Sequence, residues 1–218
     1  MNIKNIKSFS NNSIKYISSL RDKKYSKQHN LFIVEGFEFI LKGLKNNWQI
    51  AYLLYASAAE ENLQLPQIIT QALNQDAEII RTNIAILKKI TVKENTQPII
   101  AVFKTKINKL DSLMLQKNNC YLALDRIRDA ANLGVIIRSC AAFSVSTLFL
   151  IGESVYPFNV EVVRASVGSI FDVNLYTATQ NNFINFIKQK NAYIIGTNLS
   201  STTCLLYTSP SPRDQRGS

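Results

Sequence analysis

Apolar positions recur along the chain in two alternating rhythms. Behind Asn11 and Asn12, either of which can cap a helix, Ile14, Ile17 and Leu20 share one helical face. Leu31 to Val34 is a continuous apolar run and predicts a strand. Gly36 opens a second helix, with Phe37, Ile40, Leu41 and Leu44 at i, i+3, i+4, i+7 spacing. A strand is expected from Ile50 to Tyr55, and Pro66 suits the first turn of a helix carrying Ile68, Ile69, Ala72 and Leu73. Glu78 to Ile80 predicts another strand, Asn83 a cap for a short helix through Leu87, and Ile99 to Phe103 a further strand. Residues 1–103 therefore form a small alternating α/β domain.

Residues 104–118 (KTKINKLDSLMLQKN) are polar and basic and predict a linker with at most a short helical turn. The alternation then resumes. Strands are expected at Tyr121–Leu124, Thr147–Ile151, Phe171–Tyr176 and Ala192–Ile195. Between them come helices at 132–143, at Asn159–Ala165 and at Thr179–Lys190, the last with Phe183, Ile184 and Ile187 inward. Such alternation implies a parallel sheet with right-handed crossovers, binding ligands beyond the carboxyl ends of its strands. The fold class is α/β: a small N-terminal domain, then a parallel-sheet domain over 119–203.

Composition narrows the chemistry. At 218 residues, 46% hydrophobic and 18% charged, the chain is globular in character. Cys120, Cys140 and Cys204 have no paired spacing, and His29 is the only histidine, so no metal site is expected. No run of about 18 apolar residues occurs, and no membrane partner is expected; the default location is the cytoplasm. The net charge is +10, and it is concentrated. The first thirty residues hold Lys4, Lys7, Lys15, Arg21, Lys23, Lys24 and Lys27 against a single acid, Asp22. A positive face of this kind attracts phosphate backbones, and it also suits a plain solvated helix.

The seven glycines form neither a dinucleotide fingerprint nor a phosphate-binding P-loop, and no nucleophile elbow is present. What remains is the turn after the strand at 121–124. Asn132 and Gly134 stand at the strand-to-helix junction, and Arg138 lies on the same helix. Glycine there permits close approach of a ligand or another backbone. A guanidinium can clamp a phosphate bidentately. The residues equally allow Asn132 as a helix cap and Arg138 as an ion-pair partner for Asp125 or Asp129. Cys120, Cys140 and Trp48 read as packing groups, and His29 as a surface residue.

The segment LDRIRDAANLGVIIRSCAAFS (124–144) resembles the first signature of the SpoU (TrmH-type) RNA ribose 2′-O-methyltransferases of the SPOUT superfamily. Asn132, Gly134 and Arg138 fall in register with its N-x-G-x-x-x-R pattern. Ala130 and Ser144 depart from the proline and glycine usual there. Arg164 to Gly168 (RASVG) is also similar to the family, as are SLRDKKY (19–25) and FIVEG (32–36) in the N-terminal domain. The resemblance implies S-adenosylmethionine as cofactor, tRNA or rRNA as partner, a knotted parallel-sheet domain and a homodimer. It implies that Arg138 and Asn132 are catalytic, the first binding the phosphate and helping deprotonate the 2′-hydroxyl, the second orienting it. Lys15, Arg21, Lys23, Lys24 and Lys27 would contact RNA, and Thr197, Asn198 and Leu199 would edge the cofactor.

From Cys204 the composition changes: CLLYTSPSPRDQRGS holds two of the five prolines and lacks Asn, Lys and Ile. It resembles sequencing-adapter read-through, so 204–218 is expected to be non-native. Nothing after Ile195 matches the family's G-x-E-G-x-G and S-L-N stretches. The knot segment is therefore expected to be missing, and the chain as given to be inactive. Two alternatives remain: a non-catalytic RNA-binding protein, and a small-molecule-binding α/β domain with an incidental basic face.

Overall fold

The computed structural model describes residues 3–93, 95–116, 119–190, 192 and 194–196. The first domain is a five-stranded sheet of β1 (Ile3–Asn5), β2 (Leu31–Glu35), β3 (Ile50–Ala56), β4 (Glu78–Thr82) and β5 (Ile99–Lys104). Their order is β1-β4-β3-β5-β2. β1, β4 and β3 run parallel, whereas β5 is antiparallel to both β3 and β2. Helices α1 (Asn12–Ser19), α2 (Lys23–His29), α3 (Phe37–Lys45), α4 (Leu65–Leu73) and α5 (Ile84–Thr91) flank it. Asn11, Asp22 and Asn83 cap α1, α2 and α5, each side chain accepting a first-turn N–H.

One face of this sheet packs on α1 and α5 through Ile14, Ile17, Leu54, Ile80, Leu87 and Ile90. The other packs on α3 and α4 through Ile40, Leu44, Leu53, Ile68 and Phe103. The apolar spacing foretold α1, α3 and α4, and the Asn83 cap foretold α5, which runs on past Leu87 to Thr91; α2, where only Ser26 is buried, was not foretold. β1, three residues long with a largely exposed pattern, also left no apolar signal.

The second domain holds β6 (Leu122–Asp125), β7 (Thr147–Ile151) and β8 (Asn174–Ala178), all parallel in the order β6-β7-β8. Helices α6 (Ala130–Ala142) and α7 (Val160–Ala165) cover one face, and α8 (Gln180–Lys190) the other. Several expectations shift here. Phe171 ends a 3-10 turn, and the strand starts at Asn174. On α8 the buried residues are Phe186 and Ile187, while Ile184 is 47% exposed. Ala192, Ile194 and Ile195 carry no strand, and Ile194 and Ile195 are exposed. Cys120 is exposed, whereas Cys140 is buried and burial pushes its thiol pKa up.

Two findings tie the domains together. Part of the stretch expected as a linker packs: Asn108 bridges Tyr176 of β8, and Leu110 is buried beside Phe149 and Phe186. The edge strand β2 is buried on both faces, Leu31 and Ile33 within the first domain and Phe32 and Val34 where the second domain lies on it. Phe32 stacks 4.7 Å from Phe158, Phe103 lies 5.0 Å from Phe171, and the Trp48 indole N–H donates to the Phe171 carbonyl at 3.3 Å. Gly43 makes this approach possible, since a Cβ there would sit 2.9 Å from the Phe171 ring. Lys42 and Asn46 close the rim on Asp172. The two domains share one apolar core.

Candidate active site and nucleic-acid face

The α6 helix begins two residues earlier than the sequence suggested, and its cap is Asp129, not Asn132. The Asp129 carboxylate accepts the Asn132 backbone N–H at 2.6 Å, leaving the Asn132 side chain exposed in the first turn. Gly134 faces inward. A Cβ there would lie 2.4 Å from Ala165 Cβ and 2.7 Å from the Val162 carbonyl oxygen, so the close approach it permits is that of α7. This packing, with Leu133, Ile137 and Cys140 buried, fixes the rotation of α6 and turns Ala131, Asn132, Val135, Arg138 and Ser139 outward.

Arg138 is exposed and, among the described residues, has no ion-pair partner. The acids that could have neutralised it are engaged elsewhere. Asp125 accepts from Arg126 at 2.7 Å, and Asp129 caps the helix. Six residues separate Asn132 from Arg138, about 9 Å along the axis and about 120° around it. The helix therefore presents an amide near the carboxyl edge of the sheet and a guanidinium further along. The two side chains do not touch. Thr197, Asn198 and Leu199 fall outside the described residues.

Lys15, Arg21, Lys23, Lys24 and Lys27 are all exposed. They are carried by α1, by the turn after it and by α2, so the basic stretch is two short helices rather than one. The structure extends this face with residues that sequence reasoning missed. Lys88 and Lys89 end α5, and Lys89 lies over the Phe9 ring at 4.2 Å. The adjacent lysine pair at 88–89 was the available signal. Among the described residues, no cluster of three or more His, Cys, Asp or Glu is placed to hold a metal ion. No described helix is long and apolar enough to cross a membrane.

Comparison with known proteins assigns the two domains separately. The profile of the MRM3-like substrate binding domain matches residues 11–101, and that of the SpoU rRNA methylase family matches residues 119–213. A crystal structure of an rRNA methyltransferase from Sinorhizobium meliloti superposes with a TM-score of 0.81 at 30% identity, over 86% of this chain and 70% of that one. This chain belongs to the SpoU rRNA methylase family. The same Sinorhizobium meliloti enzyme has also been solved bound to AdoMet. A relative from Bacillus subtilis, the 23S rRNA guanosine 2′-O-methyltransferase RlmP, is 24% identical over 91% of this chain and 75% of its own length. The fold expected from the sequence, a small α/β domain followed by a parallel-sheet SPOUT-type domain, is the fold of these neighbours.

Proposed function

We propose that this SpoU protein belongs to an S-adenosylmethionine-dependent methylation of ribose 2′-hydroxyls in rRNA or tRNA, acting in the cytoplasm as a homodimer. The observation that carries the reading is the α6 helix. Its rotation is fixed by Gly134 against α7, and it holds out Arg138, in no ion pair among the described residues, in register with the family's signature. The related rRNA 2′-O-methyltransferases and their AdoMet-bound structures support it.

A ribose hydroxyl is a weak nucleophile, so positioning and local charge supply much of the acceleration. Arg138 binds the phosphate beside the target ribose through its planar N–H fork. Its positive field favours loss of the 2′-hydroxyl proton to solvent as the oxygen attacks. Asn132 orients that hydroxyl by hydrogen bonding. S-adenosylmethionine, when bound, supplies an electrophilic methyl group. Gly152 (φ 64°) shapes the turn after β7, at the carboxyl edge of the sheet, and is backed by Arg126. Thr197, Asn198 and Leu199 are our assignments for the cofactor edge. The basic face of α1 and α2 holds the RNA backbone. A second copy would cover the outer side of α6, where Val135 is 55% and Phe143 81% exposed.

The proposal includes that the 218 residues as given do not transfer methyl groups, because no G-x-E-G-x-G or S-L-N stretch follows Ile195. The test is to sequence the source DNA across codon 204, express the extended chain, and assay transfer of labelled methyl groups to rRNA transcripts. Transfer by the extended chain, lowered at least about 100-fold by Arg138→Ala, is expected. RNA binding without any transfer would overturn the reading and favour a non-catalytic RNA-binding protein.

A further inference from the structure

We propose that the cleft between the two domains is a separate RNA-binding point. It would hold one unstacked nucleotide of the substrate, with the base on an apolar floor and its phosphate between Arg21 and Arg164. The inference rests on the RNA-substrate reading above.

The cleft encloses about 160 Å³. Sites for drug-sized ligands usually run from about 300 to 1,000 Å³, so this one suits a single heterocycle and no whole cofactor. Its floor is apolar, formed by Val34 from the first domain and Val163, Ile170 and Phe171 from the second, with Phe39 at the side. A base set on this floor would take its flat faces out of water against aliphatic side chains, a gain from apolar burial rather than from ring stacking.

The mouth is cationic, and its two arginines come from different domains. Arg21 follows α1, and Arg164 lies on α7. Both converge on the carboxyl end of α5. The Arg21 guanidinium donates to the Lys89 carbonyl at 3.4 Å, and Arg164 to the Thr91 carbonyl at 2.8 Å. Helix C-terminal carbonyls carry partial negative charge and orient both groups. A guanidinium has five N–H donors, so one bond to a carbonyl leaves the rest of each fork available. Neither arginine is in an ion pair among the described residues. The carboxylate at the mouth does not neutralise them. Glu35 is already matched by Lys93 at 2.7 Å and by the Gln97 N–H at 2.7 Å, with its side chain only 10% exposed. The surplus charge therefore suits a phosphate.

The walls are also strained. Val92 (φ 53°) sits between the lining residues Thr91 and Lys93, and Val167 (φ 49°) precedes the lining Gly168. β-branched residues avoid this left-handed backbone, and such outliers concentrate at ligand sites.

The test measures binding of a short oligouridylate to the 218-residue chain across a salt series. Replacing both arginines, Arg21→Gln with Arg164→Gln, is expected to weaken binding about tenfold. The slope of log affinity against log salt should fall by about 0.7 for each phosphate no longer neutralised. Arg164 also bridges the domains, so Arg21→Gln alone is a second variant. Its bond is long and its position exposed; it should lower the slope by about 0.7 with thermal stability unchanged. Val163→Phe, which fills the floor, should weaken binding without changing the slope. It should also abolish 4-thiouridine crosslinks to the peptide containing Phe171.

Suppose Arg21→Gln and Val163→Phe change nothing while Lys23→Gln with Lys24→Gln weakens binding. The cleft assignment is then wrong and the RNA reading stands. If the unaltered chain shows no salt-dependent RNA affinity, the RNA reading fails and the cleft assignment falls with it. Displacement of the RNA by equimolar uridine 5′-monophosphate would make the cleft a site for a free nucleotide and overturn the assignment.

Discussion

The two sheets are built from the same alternation of strand and helix, yet they finish differently. In the first domain both faces are covered, and the second domain packs on the Phe32 face of the edge strand β2, with Phe32 only 1% exposed. Among the described residues the second domain has three parallel strands, and its edge strands β6 and β8 each pair with one strand only, as β1 does in the first. Parallel sheets are normally covered on both faces, as this one is by α6 and α7 on one side and α8 on the other. The comparison teaches where chemistry has room. The residues that pack the junction are committed to one another. The outer face of α6 instead keeps an exposed arginine and an exposed amide, neither of them in an ion pair or side-chain bond among the described residues.

The comparison can be broken most directly at the junction. Phe171→Ala removes a ring that touches Trp48, Phe103 and Phe32 and should cost about 3–5 kcal/mol. Because the core is shared, denaturant unfolding followed by Trp48 fluorescence and by far-UV circular dichroism should shift together. Two separated transitions would show that the domains do not share a core.

A smaller loss is expected where α6 meets α7. Gly134→Val would put a Cβ 2.4 Å from Ala165 Cβ and should cost about 1–3 kcal/mol. Thermal denaturation measures it; an unchanged midpoint would mean that α6 is not locked there.

Strain at the cleft gives an effect of the opposite sign. Val92 is 63% exposed and holds φ 53°, so Val92→Gly loses little packing and relieves a cost of about 1–2 kcal/mol. Part of that gain is offset by the entropy of glycine, about 0.5–1 kcal/mol. A net stabilisation of up to about 1 kcal/mol should appear as a raised urea midpoint with the m-value unchanged.

The smallest change is expected at Arg138. Arg138→Ala should move stability by no more than about 0.5 kcal/mol, since the side chain is exposed and holds no described ion pair. The same variant should lower methyl transfer at least about 100-fold in the methylation assay. A large stability loss would place the arginine in the packing and remove it from the site.

Much of the fold was legible because burial and periodicity coincide. Ile14, Ile17 and Leu20, and Phe37, Ile40 and Leu44, are buried on the helical faces their spacing announced. What periodicity missed has physical causes. α2 buries only Ser26 and is defined by its Asp22 cap, so it has no apolar stripe to read. Asn132 was legible as a helix-start residue, but Asp129 takes the cap because its carboxylate reaches the Asn132 N–H. Whether Arg138 would be neutralised could not be read at all. Asp125 and Asp129 are both close in sequence, and only the fold shows them committed to Arg126 and to the helix end.

The sequence by itself determined the alternation of strands and helices, the basic N-terminal face and the signature from Asn132 to Arg138, because these depend on residues near one another along the chain. The tertiary structure alone decided that the two domains share a core, that Gly134 serves α7 and that Arg21 and Arg164 line one cleft. Those pairings join residues far apart in the chain: Phe32 with Phe158, Gly134 with Ala165, Arg21 with Arg164. No local pattern encodes them; they follow from which apolar faces can bury each other.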